Sequence, residues 1–66
     1  MPQIGSTKRF EDLIYTCRKI TGLSVPAYRY ADKWRNNGHK ARVEIIPATR
    51  THRAVYVVYI WNKYEG

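Results

Sequence analysis

The sequence predicts an α+β domain in which two short helices are followed by a β-hairpin. Three observations support this prediction. Residues 54–61 form an unbroken run of apolar and aromatic residues, mostly of the β-branched and aromatic kinds that are typical of a strand. Residues 7–21 carry apolar positions at helical spacing. Residues 25–36 lie between a helix start signal and a helix stop signal.

Length and charge limit the function. The chain has 66 residues, 44% of them hydrophobic, and a formal net charge of +7. A chain this short buries only about 60% of the surface that its unfolded form exposes, so a deep catalytic cleft is not expected. We therefore expect a binding module and no enzyme, in one domain over residues 1–66 with loose ends at 1–6 and 62–66. The charge favours polyanionic partners, although it also serves solubility, and a homodimer is one way to enlarge so small a core.

Cysteine and histidine are too sparse for covalent or metal cross-links. Cys17 is the only cysteine, and its apolar neighbours predict a buried thiol in a reducing, intracellular and cytoplasmic compartment. His39 and His52 add too few ligands for a zinc site, so we expect no metal and no cofactor. The first residues carry neither a signal peptide nor a membrane span, so no membrane partner is expected.

The first predicted helix covers residues 7–21. Its apolar positions fall on one helical stripe, which consists of Phe10, Leu13, Ile14, Cys17 and Ile20. Ser6 or Thr7 can cap the start, and Gly22 is a natural left-handed stop. Lys8 and Arg9 would then lie at the N-terminus of this helix, where the positive end of the helix dipole repels cations. A bound phosphate would offset that repulsion. Alternatively, the two side chains are simply solvated.

The segment 25–36 admits two interpretations. As a helix it is capped by Ser24, has Pro26 in its first turn and ends at Gly38. As a strand its aromatic residues would alternate with cations, and the fold would become one helix packed on a three-stranded antiparallel sheet. We favour the helix because its start signal, its stop signal and its apolar stripe agree. We expect Trp34 to pack against the final strand.

The last part of the chain predicts a β-hairpin. Residues 41–46 alternate, with Val43 and Ile45 on one face and Arg42 and Glu44 on the other, and are the expected partner of the final strand. The connection over residues 47–53 is polar and long for a hairpin loop, so its tip is expected to project.

The order of these elements resembles a known family. A turn that reads Thr21-Gly22-Leu23-Ser24 between two short helices, followed by Asn37-Gly38-His39 and a hairpin, is similar to winged helix-turn-helix DNA-binding domains, in the minimal form of phage excisionases. The chain departs from that family in having Arg18 where a small residue is usual, and in lacking a further helix ahead of these two.

The resemblance implies double-stranded DNA as the partner and a regulatory or architectural role. The second helix would be the recognition helix, with Arg29, Lys33 and Asn36 facing bases and phosphates. The hairpin tip would bring three further residues to the backbone or the minor groove. These residues are Arg50, His52 and Arg53. Lys8 and Arg9 complete the set of predicted DNA-binding residues.

Three other interpretations remain open at the level of the sequence. The same charged faces would suit an ordinary solvated surface. A sheet with Tyr59 or Trp61 exposed would stack the bases of RNA or single-stranded DNA. A small inhibitor or adaptor would use the aromatic and Arg residues as anchors for another protein.

Overall fold

The computed structural model describes residues 3–61, which form one helix packed on a four-stranded antiparallel sheet. The elements are β1 (Thr7–Phe10), β2 (Leu13–Thr21), α1 (Ser24–Asn36), β3 (Ala41–Ile46) and β4 (Val55–Trp61). The strand order is β1-β2-β4-β3, so the most apolar segment lies between two partners at the centre of the sheet. Residues 62–66, which were expected to be loose, lie outside the described residues, as do residues 1 and 2.

The prediction of a helix over residues 7–21 is wrong, because this segment is a β-hairpin. β1 pairs with β2, and Phe10 lies directly opposite Leu13. The two residues between them, Glu11 and Asp12, have φ angles of 50° and 67°. Positive φ at both central residues is the geometry that suits a two-residue hairpin turn, because its twist matches that of the strands.

The helical spacing of the apolar residues in this segment has two other causes. The tight turn brings Phe10 and Leu13, three residues apart, to the same face of the sheet. A bulge between Cys17 and Lys19 then adds one residue, so that Cys17 and Ile20 also share a face. The apolar residues of a hairpin with a bulge can therefore have the same sequence spacing as those of an amphipathic helix.

The winged arrangement of two helices followed by a hairpin is therefore wrong. The alternative of a helix on an antiparallel sheet fits in part, but it had three strands instead of four. It also placed its helix over residues 7–21 and a strand within residues 25–36. The structure has these two elements the other way round.

The helix over residues 25–36 is confirmed, but its cap is not. Ser24 is the first helical residue, and the cap position is held by Leu23, which makes no side-chain cap hydrogen bond. The Leu23 N–H instead donates to Thr21 Oγ1 at 3.2 Å. The far end is as expected, because Gly38 has a φ of 87° and its N–H returns to the Arg35 carbonyl at 3.0 Å.

The hairpin of β3 and β4 is also confirmed. The two strands pair along their whole length, from Ala41 opposite Ile60 to Ile46 opposite Val55. The face of this hairpin under α1 forms the helix-covered core, against which Trp34 packs as expected. Its buried members are Ala27, Ala31, Ala41, Val58 and Ile60.

A second group of buried side chains lies on the opposite face, where the described chain has no helix. We call it the curl-covered core, and its buried members are Tyr15, Cys17, Val57 and Tyr59. Lys8 Nζ on one edge strand bonds Glu44 Oε2 on the other at 2.7 Å. Arg42 on β3 lies 4.6 Å from the ring centroid of Phe10 on β1. In a flat sheet these strands would stand roughly 14 Å apart, so the sheet curls and its own edges close this face.

Candidate nucleic-acid interface

Three of the predicted DNA-binding residues lie together on the outer face of α1. Arg29, Lys33 and Asn36 are exposed, and their spacing of four and three residues places them on one side of the helix. Ala27 and Ala31 hold the opposite side against the sheet. The helix thus presents these three side chains to solvent in the way that the sequence predicted.

Two further cations flank this face and were not among the predicted site residues. Arg18 and Lys19 lie on β2, on the side of the sheet that carries the helix. The guanidinium carbon of Arg18 is 5.9 Å from the Trp34 ring centroid, and Lys19 Nζ is 5.5 Å from that of Tyr30. A cation over an aromatic face is attracted by the ring quadrupole, so the two charges are held beside the helix.

We call this set the helix-side basic surface. It consists of Arg18, Lys19, Arg29, Lys33 and Asn36. On the sequence alone Arg18 and Lys19 would fall in the last turn of the helix predicted over residues 7–21, where basic residues are usual. The bulge that turns them toward α1 is set by pairing with β4, so no local signal reveals their position.

Lys8 and Arg9 separate, because consecutive residues of a strand point to opposite faces. Lys8 belongs to the curl-covered face, where its bond to Glu44 raises the pKa of the ammonium group. Arg9 is exposed on the face that carries the helix, one strand further out than Arg18. Neither residue lies at a helix N-terminus, and that expectation is wrong because residues 7–10 form β1.

The loop residues Arg50, His52 and Arg53 are exposed at one end of the sheet. Thr49 organises the loop, since its hydroxyl accepts the N–H groups of Thr51 and His52 at 3.3 and 3.2 Å. A shallow groove of about 170 Å³ lies at its base. The groove is lined by Ile46, Pro47, Thr49, His52, Arg53 and Val55.

The loop returns to β4 at the end of the sheet where α1 begins. Thr21, just before the helix, lies opposite Tyr56, just after the loop. Asn36 is at the other end of a helix about 20 Å long. The structure therefore places the loop near the first turn of α1 and away from Asn36.

Three of the four acidic residues of the described chain, Glu11, Asp32 and Glu44, pair with cations outside this surface. Besides the bond from Lys8 to Glu44, Arg35 pairs with Asp32 at 3.2 Å and Arg42 lies 3.8 Å from Glu11. Within residues 3–61, no acidic side chain comes within 4.0 Å of the cations of the helix-side basic surface. That surface therefore carries a concentrated positive charge.

The aromatic side chains of the sheet offer little to a stacking base. Tyr59 is 3% exposed and Tyr15 is 5% exposed, both inside the curl-covered core. Trp61 is only partly exposed, and Lys40 Nζ lies 5.6 Å from its ring centroid. The open aromatic sheet that single-strand recognition would use is closed by the curl.

No protein-family model, no curated protein and no solved structure matches this chain. Over residues 3–61, no helix is long and apolar enough to cross a membrane. The same residues contain no cluster of three His, Cys, Asp or Glu side chains that could hold a metal ion.

Proposed function

We propose that the protein binds double-stranded DNA through the helix-side basic surface. The observation that carries this proposal is the segregation of charge. Glu11 and Glu44 pair with cations on the curl-covered face and Asp32 pairs with Arg35 on α1, while Arg18, Lys19, Arg29 and Lys33 have no acidic partner among the described residues. An unneutralised cluster of this kind attracts phosphates and gains affinity by releasing their counterions.

Two features favour a duplex over a single strand. The exposed side chains stand on a convex helix, and the major groove of B-DNA is wide enough to admit a helix. The large rings of the curl-covered core are buried, so they do not offer a stacking platform. The major groove of an RNA duplex is too narrow to admit such a helix, so DNA is the better fit.

The residues of this surface have different tasks in the proposal. Arg29 and Asn36 carry the planar groups that bond guanine and adenine edges, so they supply any sequence dependence. Arg18, Lys19 and Lys33 neutralise phosphates. Arg50 and Arg53 extend the contact to the backbone near the first turn of α1. The protein would then be a small regulatory or architectural DNA-binding module without catalytic activity, in the reducing cytoplasm that a free, buried Cys17 suits.

Lys33→Ala and Lys40→Ala test the proposal as a matched pair, because each removes one lysine and the same unit of charge. Lys33 is on the helix-side basic surface, whereas Lys40 lies over Trp61 on the opposite face of the sheet. Affinity for duplex DNA, single-stranded DNA and RNA would be measured by fluorescence anisotropy across a salt series. We expect duplex binding that weakens steeply with salt, with a log-log slope lowered by about one in Lys33→Ala and unchanged in Lys40→Ala.

Equal losses in the two variants would mean that net charge alone drives binding, and the assigned surface would be wrong. Absence of duplex binding by the unaltered protein would reject the proposal. The second candidate, a protein-binding adaptor, would then take its place. It is favoured by the exposed apolar side chains Leu23 and Val25 at the start of α1, which are 66% and 59% exposed, and by the exposed ring of Tyr28. Such binding would change little with salt.

A further inference from the structure

The outer edge of β3 carries backbone groups that are free to pair with another strand. Within the described residues, β3 pairs only with β4. The Trp61 N–H donates to the Lys40 carbonyl at 2.8 Å, so Lys40 directs its backbone groups toward β4. Because these groups alternate along a strand, those of Ala41, Val43 and Ile45 point away from the sheet. Arg35 Nη2 reaches the Ala41 carbonyl from that side at 2.9 Å, which agrees with this direction.

The sequence of this edge is complementary to itself. We propose that two copies of the chain associate by antiparallel pairing of β3 with β3 around a two-fold axis at Val43. In that register Arg42 lies opposite the partner's Glu44, and Glu44 lies opposite the partner's Arg42. Opposite charges directly across an antiparallel pair are stabilising, and a two-fold axis produces the favourable pair twice.

The outward backbone groups fit the same register. Val43 pairs with its own copy, and Ala41 pairs with the partner's Ile45, so all three outward residues form hydrogen-bonded pairs. The bond from Arg35 to the Ala41 carbonyl does not prevent this, because a carbonyl oxygen has two lone pairs. Ile45 is 50% exposed in the single chain and would be covered at the new contact.

The two charged residues are available for a partner. Glu44 holds Lys8 through Oε2, and the other carboxylate oxygen has no hydrogen-bond partner among the described residues. Arg42 Nη1 is 3.8 Å from Glu11, which is beyond hydrogen-bond range, and the Glu11 side chain is 88% exposed. Arg42 also lies over the Phe10 ring, and its planar guanidinium can keep that contact while an outer N–H group bonds a carboxylate on a second copy.

The other edge of the sheet lacks this complementarity. β1 carries Lys8 and Arg9 in succession and only Thr7 and Phe10 besides. Antiparallel pairing of β1 with itself would bring like charges together, and Lys on an edge strand is a common device against such pairing. The association is therefore specific to β3, and it does not rest on the DNA-binding proposal.

Two charge reversals test the register. Arg42→Glu alone places acidic residues opposite one another in the dimer, and Glu44→Arg alone places basic residues opposite one another. A mixture of the two single variants restores both opposite-charge pairs across the interface. Sedimentation analysis over a concentration series should show that the unaltered chain dimerises, that each single variant dimerises at least about tenfold more weakly, and that the mixture associates like the unaltered chain.

A second measurement needs no variant. Amide hydrogen exchange of Val43 and Ile45 in the unaltered protein should slow as its concentration rises, while exchange along β1 stays unchanged. A chain that remains monomeric, exchange at β3 that is independent of concentration, or a mixture that associates no better than its components would each overturn the proposal.

Discussion

The two faces of the sheet are packed in opposite ways. Under α1 the fully buried helix residues are small, since Ala27 and Ala31 let the helix approach β4 closely, and the large ring of Trp34 packs there only partly buried. Under the curl the space is filled by large rings, with Phe10 in edge contact with Tyr15 and Tyr59 at centroid distances of 5.2 and 5.4 Å. The helix-covered core depends on small side chains and the curl-covered core on large ones. A larger residue should therefore destabilise the first core, and a smaller residue should destabilise the second.

The largest expected effect is the loss of volume under the curl. Tyr59→Ala should lower the free energy of unfolding by about 3–5 kcal/mol, because it removes a ring that is 3% exposed and leaves a cavity between β1 and β4. Chemical denaturation followed by circular dichroism measures the change. In a domain of this size that loss removes most of the stability.

Tyr28→Ala is the matched control, since it is the same substitution at a ring that is 45% exposed on α1. We expect it to cost much less than Tyr59→Ala. Equal costs for the two variants would show that the curl does not seal its core.

The next effect is the gain of volume under the helix. Ala31→Leu should cost about 1–3 kcal/mol, because the added carbons have no room between α1 and β4 unless the helix lifts. Ala48→Leu makes the same change in the exposed loop and should be nearly neutral. Thermal unfolding of both variants provides the comparison, and a stable Ala31→Leu protein would contradict the close approach of the helix.

The comparison of the two cores also explains which parts of the fold the sequence could predict. α1, β3 and β4 carry local signals, such as Gly38 at the helix end and the alternation of residues 41–46. The curl-covered core depends on a turn at Glu11 and Asp12 that lacks the usual glycine, and on a bulge at Arg18. The turn and the bulge both give the apolar residues of this segment the spacing of a helix. Only the pairing of β2 with β4 distinguishes the hairpin from a helix.

The residues of the candidate site also fall into those that the sequence could predict and those that it could not. Arg29, Lys33 and Asn36 could be predicted because helical spacing alone places them on one face. The position of Arg18 beside Trp34 could not, because it follows from the bulge and from the packing of α1. Lys8 was expected to bind phosphate but is bonded to Glu44, a residue 36 positions away in the chain. Local sequence patterns do not reveal contacts between segments that are distant in the chain.

The smallest expected effect concerns pH, and it belongs to the curl-covered face. Burial raises the pKa of the Cys17 thiol above its ordinary value of 9.0, and burial also raises the pKa of Tyr59. The hydrogen bond to Glu44 raises the pKa of Lys8 on the same face. For each group the unfolded chain loses its proton at a lower pH than the folded protein does. Their contribution to stability is therefore complete below the unfolded pKa values and is lost as the pH rises through the folded ones.

Cys17→Ala isolates one of these contributions. Its free energy of unfolding should be lower than that of the unaltered protein at neutral pH, because a wholly buried side chain has been shortened. From about pH 9 upward the unaltered protein should lose stability more steeply than the variant, because only the unaltered chain has a thiol that must stay protonated in the core. Urea titrations at a series of pH values measure both slopes. Parallel slopes would mean that the thiol is accessible to solvent and that the curl does not seal this face.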